Sequence, residues 1–248
     1  MSTQNRINKS IQIIEENDDF IIVCKPPGLL SIPDRFDFEK ENLFAILKEI
    51  YPELLVVHRL DKDTSGIMCF ARNAASHKLL NEIFEERKVR KIYRAICEGT
   101  PPEDTGIIEA PIAHSTSRDG RMVIHPKGKA SRTKFRLVTR WRNFSLLETM
   151  PETGRTHQIR LHLAYLGCPI VCDPLYGKRV HLTIEDIKRH TRLTGMDEAF
   201  RPLMARTALH ALSLNFEFKG QNYFFEAELT KDFRALLHQL DKWQSISQ

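Results

Sequence analysis

A polar segment, HRLDKDTSG at residues 58–66, separates two short apolar runs, LLVV at 54–57 and IMCFA at 67–71. Apolar runs of this length that are bounded by polar turn residues are typical of buried strands. A loop that is fixed by a buried strand at each end holds its side chains rigidly, and binding and catalytic residues often lie on such loops. We therefore expect the chemistry of this chain to lie in residues 58–66.

The rest of the chain alternates between the periodicities of strands and helices. Strands are predicted within residues 11–16, 20–25, 54–58, 67–71, 91–99, 131–140, 169–173, 208–218 and 223–229. Helices are predicted over about residues 39–51, 73–88, 154–167, 183–195 and 232–243. Asn73 is the predicted N-cap of the second helix, and Thr183 with Asp186 forms a predicted capping box for the fourth.

Positive charge is concentrated in one stretch of a chain whose formal net charge is only +5. Residues 115–142 contain nine Lys or Arg residues and a single acidic residue, Asp119. In the strand at 131–140, Phe135 and Leu137 alternate with basic residues, which predicts one packed face and one row of positive charge. The basic residues of that row are Arg132, Lys134, Arg136 and Arg140. Such a row either binds a polyanion or is a solvated outer face.

The length of 248 residues and the lack of a long linker predict one elaborate domain, residues 10–248, after a loose N-terminus at residues 1–9. The odd number of cysteines, five, mostly in apolar runs, indicates buried and reduced thiols. The sequence has no signal peptide and no apolar run near the roughly 20 residues of a membrane span. We therefore expect a soluble, cytoplasmic protein that does not bind membranes.

The residue types in the loop leave more than one chemistry open. Asp61, Asp63 and Ser65 fit the aspartate-x-aspartate-x-serine pattern of magnesium-dependent phosphatases, although two residues separate Asp61 from the preceding apolar strand. With Gly66 they also occupy four positions of a calcium-binding loop, but Arg72 stands where the bidentate glutamate is needed. Neither pattern explains the rest of the sequence.

Five segments, in this order along the chain, resemble blocks of a known family. They are VCKPPGLLSIP at 23–33, HRLDKDTSG at 58–66, KIYRAICEG at 91–99, TGRTHQIRLHLAYLGCPIVCDPLYG at 153–177 and ALHA at 208–211. Together they resemble the RluA-type family of RNA pseudouridine synthases, in a short form without the N-terminal RNA-binding module. Five ordered blocks are far more specific than any one motif.

The resemblance implies an α+β fold: a long mixed, mainly antiparallel sheet with a central catalytic cleft, flanked by helices, and a helical insertion at 178–206. It implies site-specific isomerisation of uridine to pseudouridine in structured RNA, in a stem-loop of ribosomal or transfer RNA. No redox step or phosphate cleavage is involved, so no cofactor and no metal are expected. Cys168 with Cys172, and His157 with His162, also lack further ligands at metal-site spacing. A monomer is the default expectation.

Carried over residue by residue, the resemblance makes Asp61 the catalytic aspartate. A carboxylate in a pocket that excludes water needs an opposite charge to stay ionised, and Arg160 matches the family arginine that pairs with it. Tyr93 matches the aromatic residue that stacks on the target base. Arg59 matches the arginine that enters the duplex where the base has left.

The expected RNA-binding residues are Arg59, His58, Thr64, Arg155, His157, Arg132, Lys134 and Arg136. His58 and Thr64 are also expected to shape the catalytic loop. At Cys172, where the family usually has glycine, the sequence departs from the pattern, so the local backbone is expected to differ. The alternative to an enzyme is a non-catalytic RNA-binding or ribosome-assembly factor.

Overall fold

The computed structural model describes residues 11–35, 37–117, 120–188 and 202–246. Its strands are β1 Gln12–Glu16, β2 Phe20–Lys25, β3 Leu55–Val56, β4 Ser65–Ala71, β5 Arg90–Glu98, β6 Thr105–Glu109, β7 Ile112–His114, β8 Met122–Ile124, β9 Arg132–Arg140, β10 Phe144–Pro151, β11 Leu209–Phe218 and β12 Gln221–Glu226. Its helices are α1 Leu43–Lys48, α2 Ala74–Glu85, α3 Gln158–Tyr165, α4 Ile184–Ile187 and α5 Lys231–Gln244. The chain divides into two compact units, Met1–Ile92 with His210–Glu228, and Tyr93–Leu209 with Leu229–Gln248.

The first unit is built around β4, which is buried at every position. This strand pairs antiparallel with β2 on one side and parallel with β11 on the other. The strand order is β1-β2-β4-β11, with β12 paired to β11 and β3 to β4. Asn73 begins α2 as predicted, because its side-chain oxygen accepts a hydrogen bond from the backbone N–H of Ser76.

In the second unit, β10 lies between β5 and β9 and is antiparallel to both, and β6 pairs with the far side of β9. β7 and β8 form a separate antiparallel hairpin. One face of β9 packs on α3, where the buried His162 side chain bonds to the Thr133 hydroxyl and to the Ala110 carbonyl. Phe233, Leu236 and Leu240 of α5 complete the same core.

The α+β class and the mixed, mainly antiparallel sheet are confirmed. The central cleft and the single domain at residues 10–248 stay predictions. Four of the five cysteines are buried free thiols, and Cys24 is half-buried. Within the described residues, no helix is long and apolar enough to cross a membrane.

Several predicted elements differ from the structure. Helix α3 begins at Gln158 rather than at the predicted residue 154, because His157 before it has a left-handed backbone. Helix α1 is shorter than residues 39–51, because it begins after its N-cap, Asn42, and ends at Lys48. The segment 169–173 is not a strand, because it makes one isolated bridge. The Asp173 carboxylate then accepts hydrogen bonds from the backbone N–H groups of Leu175 and Tyr176, which stabilises a turn. The helix that begins after the Thr183 cap ends at Ile187, and its predicted end near residue 195 lies outside the described residues.

The backbone at Cys172 has a conformation that favours glycine. Its φ of +56° is in the left-handed region, and its buried side chain lies 3.4 Å from the Met204 carbonyl oxygen. The expectation that the local backbone differs from that of relatives with glycine stays a prediction.

Candidate active site

A buried lysine holds the loop that carries Asp61. The side chain of Lys25 has no exposed surface, and its Nζ donates to the carbonyl oxygens of Pro26 at 2.9 Å, Leu29 at 2.7 Å and Lys62 at 2.8 Å. A buried ammonium group needs such acceptors, because desolvation would otherwise cost several kcal/mol. Lys25 therefore fixes the backbone next to Asp61 to the turn that follows β2.

A serine makes a second connection to the same loop. The Ser31 hydroxyl donates to the carbonyl oxygen of Leu60 at 2.7 Å and accepts from the Leu60 backbone N–H at 3.0 Å. The Gly28 N–H donates to the Lys62 carbonyl, 3.0 Å away. These bonds pair backbone groups of Leu60 and Lys62 that lie outside the strands. They therefore restrict the movement of the loop.

The far end of the loop is fixed where β4 begins. The hydroxyl of Ser65 lies 2.9 Å from Nδ1 of the buried His210. Gly66 has a φ of +113°, and a Cβ atom there would lie 2.1 Å from the carbonyl oxygen of Ala211. Only glycine allows the parallel strands β4 and β11 to approach this closely.

His58 supports the loop from inside the unit. Its Nε2 accepts a hydrogen bond from the Cys69 backbone N–H at 3.0 Å, and its ring stacks on Phe84 with centroids 4.9 Å apart. Burial, assisted by the positive charge of Lys91, lowers the pKa of His58 to about 3, so the ring is neutral near pH 7. This half-buried neutral ring positions the loop, and its Nε2 is already used within the protein.

The loop presents its polar residues at different depths. Asp61 is half-buried, and its carbonyl oxygen accepts from the Thr64 N–H at 3.2 Å, which closes a turn. Arg59 is exposed. Thr64 is only 1% exposed and helps to shape this turn, and its predicted contact with RNA stays a prediction.

Tyr93 lies on β5 in the second unit, opposite Thr149 of β10. Its ring is half-buried and packs against the hydrophobic core of that unit. Packing against the core therefore restricts the movement of the ring, and its accessible part can serve as a fixed surface for a ligand.

Arg160 is held rigidly on α3. Its Nε and Nη2 donate to the two carboxylate oxygens of Asp173, at 2.6 Å and 2.8 Å, and its guanidinium lies 5.3 Å from the ring centroid of Tyr176. Burial would raise the pKa of Asp173, but the hydrogen bonds and charge of Arg160 and the N–H groups of Leu175 and Tyr176 hold that pKa below its ordinary value. Asp173 is therefore a carboxylate, and the pair is a bidentate buried ion pair.

Asp173 and Tyr176 are not among the residues predicted from the sequence, although both lie in the family block CPIVCDPLYG. The available signal was an aspartate followed three residues later by a tyrosine and then a glycine. The predicted partnership of Arg160 with Asp61 stays a prediction.

Arg155 and His157 lie just before α3. His157 has a left-handed backbone, with φ +54°, and its Nδ1 lies 3.0 Å from the Tyr176 hydroxyl. The half-buried Arg155 donates through Nε to the Ala130 carbonyl, 3.2 Å away. Gln158 accepts from the Arg155 N–H and the Thr153 hydroxyl, so one side chain organises this corner.

The basic row on β9 exists, but its charges are paired. Arg132 pairs with Glu109 at 2.7 Å and with Glu152 at 3.0 Å, Lys134 with Glu152 at 2.6 Å, Arg136 with Glu148 at 3.1 Å, and Arg140 with Asp104 at 2.9 Å. The predicted row of positive charge is therefore present, and the acidic residues that pair with it lie on β6, on β10 and in the segments next to these strands. The sequence pattern of a single strand could not show this pairing.

Comparisons with known proteins agree with the sequence blocks. The profile of a family described as RNA pseudouridylate synthase matches residues 19–165. The fold is similar to that of the solved structure of human RNA pseudouridylate synthase domain containing 4, with a TM-score of 0.71 over 96% of this chain and 95% of that one, at 24% identity.

Several bacterial relatives are more similar in sequence. An uncharacterized RNA pseudouridine synthase of Chloroflexus aurantiacus is 38% identical over 87% of this chain and 65% of its own length. Ribosomal large subunit pseudouridine synthase D of Haemophilus ducreyi is 34% identical over 94% of this chain and 71% of its own length. The dual-specificity RNA pseudouridine synthase RluA of Vibrio vulnificus is 39% identical over 67% of this chain and 69% of its own length. This chain belongs to the RNA pseudouridylate synthase family.

Proposed function

We propose that this protein isomerises uridine to pseudouridine in structured RNA, ribosomal or transfer, and that Asp61 is the catalytic carboxylate. The observation that carries the proposal is the position of Asp61, half-buried on a loop that Lys25, Ser31 and Ser65 hold, inside the region that matches the family. A relative that is named for the large ribosomal subunit supports ribosomal RNA as a substrate.

The proposed reaction is balanced within the substrate. The bond between N1 of uracil and C1′ of ribose breaks, a bond between C5 and C1′ forms, C5 loses a proton and N1 gains one. No electron acceptor and no second substrate is required. A carboxylate at position 61 can act as a nucleophile on the base or on C1′, or as the base that removes a sugar proton.

Three further side chains have proposed roles in this reaction. Arg160 is the proposed charge partner of Asp61, a role that its rigid placement by Asp173 supports, because a fixed guanidinium loses little conformational entropy when it binds a carboxylate. Tyr93 stacks on the flipped uracil, which contributes about 1–3 kcal/mol per base. The exposed Arg59 enters the duplex and offsets part of the few kcal/mol that base flipping costs.

Further side chains are proposed to contact RNA: Arg155, His157, Arg132, Lys134 and Arg136. His58 and Thr64 are proposed to act indirectly, through the shape of the loop. The ion pairs of the three β9 cations reduce their expected contribution to RNA binding. We also propose that the protein acts as a cytoplasmic monomer on a stem-loop of its RNA.

The test is pseudouridine mapping in RNA from cells with and without the gene, complemented by wild type, Asp61→Asn or Asp63→Asn. An enzyme with Asp61 as its carboxylate restores one or a few sites with wild type and with Asp63→Asn, which has the same charge change in the same loop, but not with Asp61→Asn. Identical maps in all strains would contradict the proposal.

The main alternative, a non-catalytic RNA-binding or ribosome-assembly factor, predicts another result. In that case Asp61→Asn would leave the cellular effect of the protein intact. A phosphate-ester hydrolase would lose activity when magnesium is chelated, whereas the proposed isomerase retains its rate in EDTA.

A further inference from the structure

We infer that Tyr176 is a positioning residue, whose ring packs against the Arg160 guanidinium and whose hydroxyl connects the β7–β8 hairpin to helix α3. The inference rests on the proposed function, since Arg160 is there assigned as the charge partner of Asp61. All of its supporting contacts lie within the second unit.

One turn holds the guanidinium through two kinds of contact. Asp173 binds its Nε and Nη2 through two hydrogen bonds, and the Arg160 Cζ lies over the Tyr176 ring, 5.3 Å from the ring centroid. Asp173 Oδ1 also accepts from the N–H groups of Leu175 and Tyr176, so the carboxylate fixes the turn that carries the ring. Together the hydrogen bonds and the ring contact restrict the orientation of the cation.

The hydroxyl group of Tyr176 makes contacts that the ring alone cannot make. Its oxygen accepts from the backbone N–H of Met122 at 2.8 Å, and it lies 3.0 Å from Nδ1 of His157. A phenol can accept one hydrogen bond and donate another, so a single hydroxyl serves both neighbours. Met122 begins β8 and His157 precedes α3; the hydroxyl therefore connects the hairpin to the start of the helix.

Apolar packing strengthens the connection. Ile112 and Met122 of the hairpin form a buried cluster with Leu161, the residue after Arg160, and Tyr176 packs against this cluster. A shift of the hairpin would therefore move the tyrosine ring relative to the guanidinium.

Two substitutions separate the ring from the hydroxyl. Tyr176→Phe keeps the ring against Arg160 and removes the hydrogen bonds to Met122 and His157. Tyr176→Leu removes the ring contact as well as these hydrogen bonds. We expect the single-turnover rate of pseudouridine formation, at saturating enzyme, to fall about tenfold in Tyr176→Phe, because the two hydroxyl contacts that position the ring are lost. In Tyr176→Leu it should fall about a hundredfold, as for a misplaced catalytic group. The affinity for RNA should change less than about threefold, and hydrogen exchange at the Met122 amide should be faster in both variants.

The matched control is Tyr165→Phe, because Tyr165 is 64% exposed at the end of the same helix and should retain the wild-type rate. In an Arg160→Lys background, Tyr176→Leu should cost less than it does alone, since a positioning residue loses its effect when its target is changed. Wild-type rates in both Tyr176 variants, or rates that fall only in proportion to the folded fraction, would overturn the inference. Absence of pseudouridine with the wild-type protein would overturn the proposed function, while Met122 exchange would still test the hairpin connection.

Discussion

The Nζ atom of Lys25 lies 2.8 Å from the carbonyl oxygen of Lys62, the residue after Asp61. The same ammonium group donates to the carbonyl oxygens of Pro26 and Leu29. A fully buried cation is thus solvated by backbone dipoles, and the two segments that provide them are locked together. The loop that carries the proposed catalytic carboxylate depends on a side chain 36 positions away from that carboxylate.

Replacement of Lys25 by Met removes the donor while keeping a side chain of similar length. We expect the free energy of unfolding to fall by about 2–4 kcal/mol, because the carbonyl oxygens of Pro26, Leu29 and Lys62 each lose a charge-assisted hydrogen bond. Urea denaturation measures this change. Lys48→Met, at an exposed lysine of α1, is the control and should change the unfolding free energy by less than about 0.5 kcal/mol. Equal stability of the two variants would contradict the proposed support of the loop by Lys25.

Two glycines with positive φ, Gly66 and Gly28, differ in whether a Cβ atom would meet a neighbouring atom. Alanine substitutions at the two positions therefore distinguish the cost of backbone strain from the cost of a steric clash. Gly66→Ala would place a Cβ atom 2.1 Å from the Ala211 carbonyl oxygen, so we expect loss of the β4–β11 pairing and destabilisation of more than about 3 kcal/mol. Gly28, with φ +81°, has no atom within 4 Å of the equivalent position. Gly28→Ala should therefore lower the free energy of unfolding only by the cost of a left-handed backbone at a residue with a Cβ atom, about 1–2 kcal/mol. The prediction fails if thermal denaturation ranks the two variants the other way.

The buried neutral state of His58 predicts a dependence of stability on pH. Its pKa in the folded protein, about 3, is below the ordinary value of 6.5, so the unfolded chain binds a proton first as the pH falls. The stability that this histidine contributes is complete above pH 6.5 and is lost between about pH 6.5 and pH 3, by at most about 1.4 kcal/mol per pH unit. In His58→Gln, the unfolding free energy should fall less steeply between pH 7 and pH 5. Parallel curves for the two proteins would show that His58 is not the group responsible.

Paired and unpaired cations of the basic stretch should contribute differently to RNA binding. Lys134 lies 2.6 Å from Glu152, and its hydrogen bond lowers the pKa of that carboxyl group. Lys127 and Lys129 are exposed and make no ion pair within the described part of the chain. If they contact phosphates, Lys127→Gln and Lys129→Gln should each reduce the slope of log K against log salt concentration by about 1. Lys134→Gln should change it less, and a larger effect of Lys134 would show that RNA displaces Glu152.

The elements with strong local signals were predicted well from the sequence. Asn73 caps α2 and the alternation of β9 gives one buried face, because both features depend on residues that are close in the sequence. The prediction of a strand at 169–173 was wrong, because the Asp173 carboxylate forms a turn that outweighs the local preference for a strand. The paired state of the β9 cations depends on strands β6 and β10, whose alignment no local pattern gives.

The sequence by itself determined the family through its ordered motifs, and with the family the α+β class, because these motifs are written in neighbouring residues. It also determined the loop between two strands that carries Asp61, although β4 is buried and β3 is only half-buried. Only the tertiary structure decided which groups support that loop and the guanidinium of Arg160. Lys25, Ser31 and His210 reach the loop, and Asp173 and Tyr176 reach Arg160, from positions set by strand pairing and turns. Hydrogen bonds between distant residues form only after the backbone has placed donor and acceptor within about 3 Å, and the order of residues along the chain does not encode that distance directly.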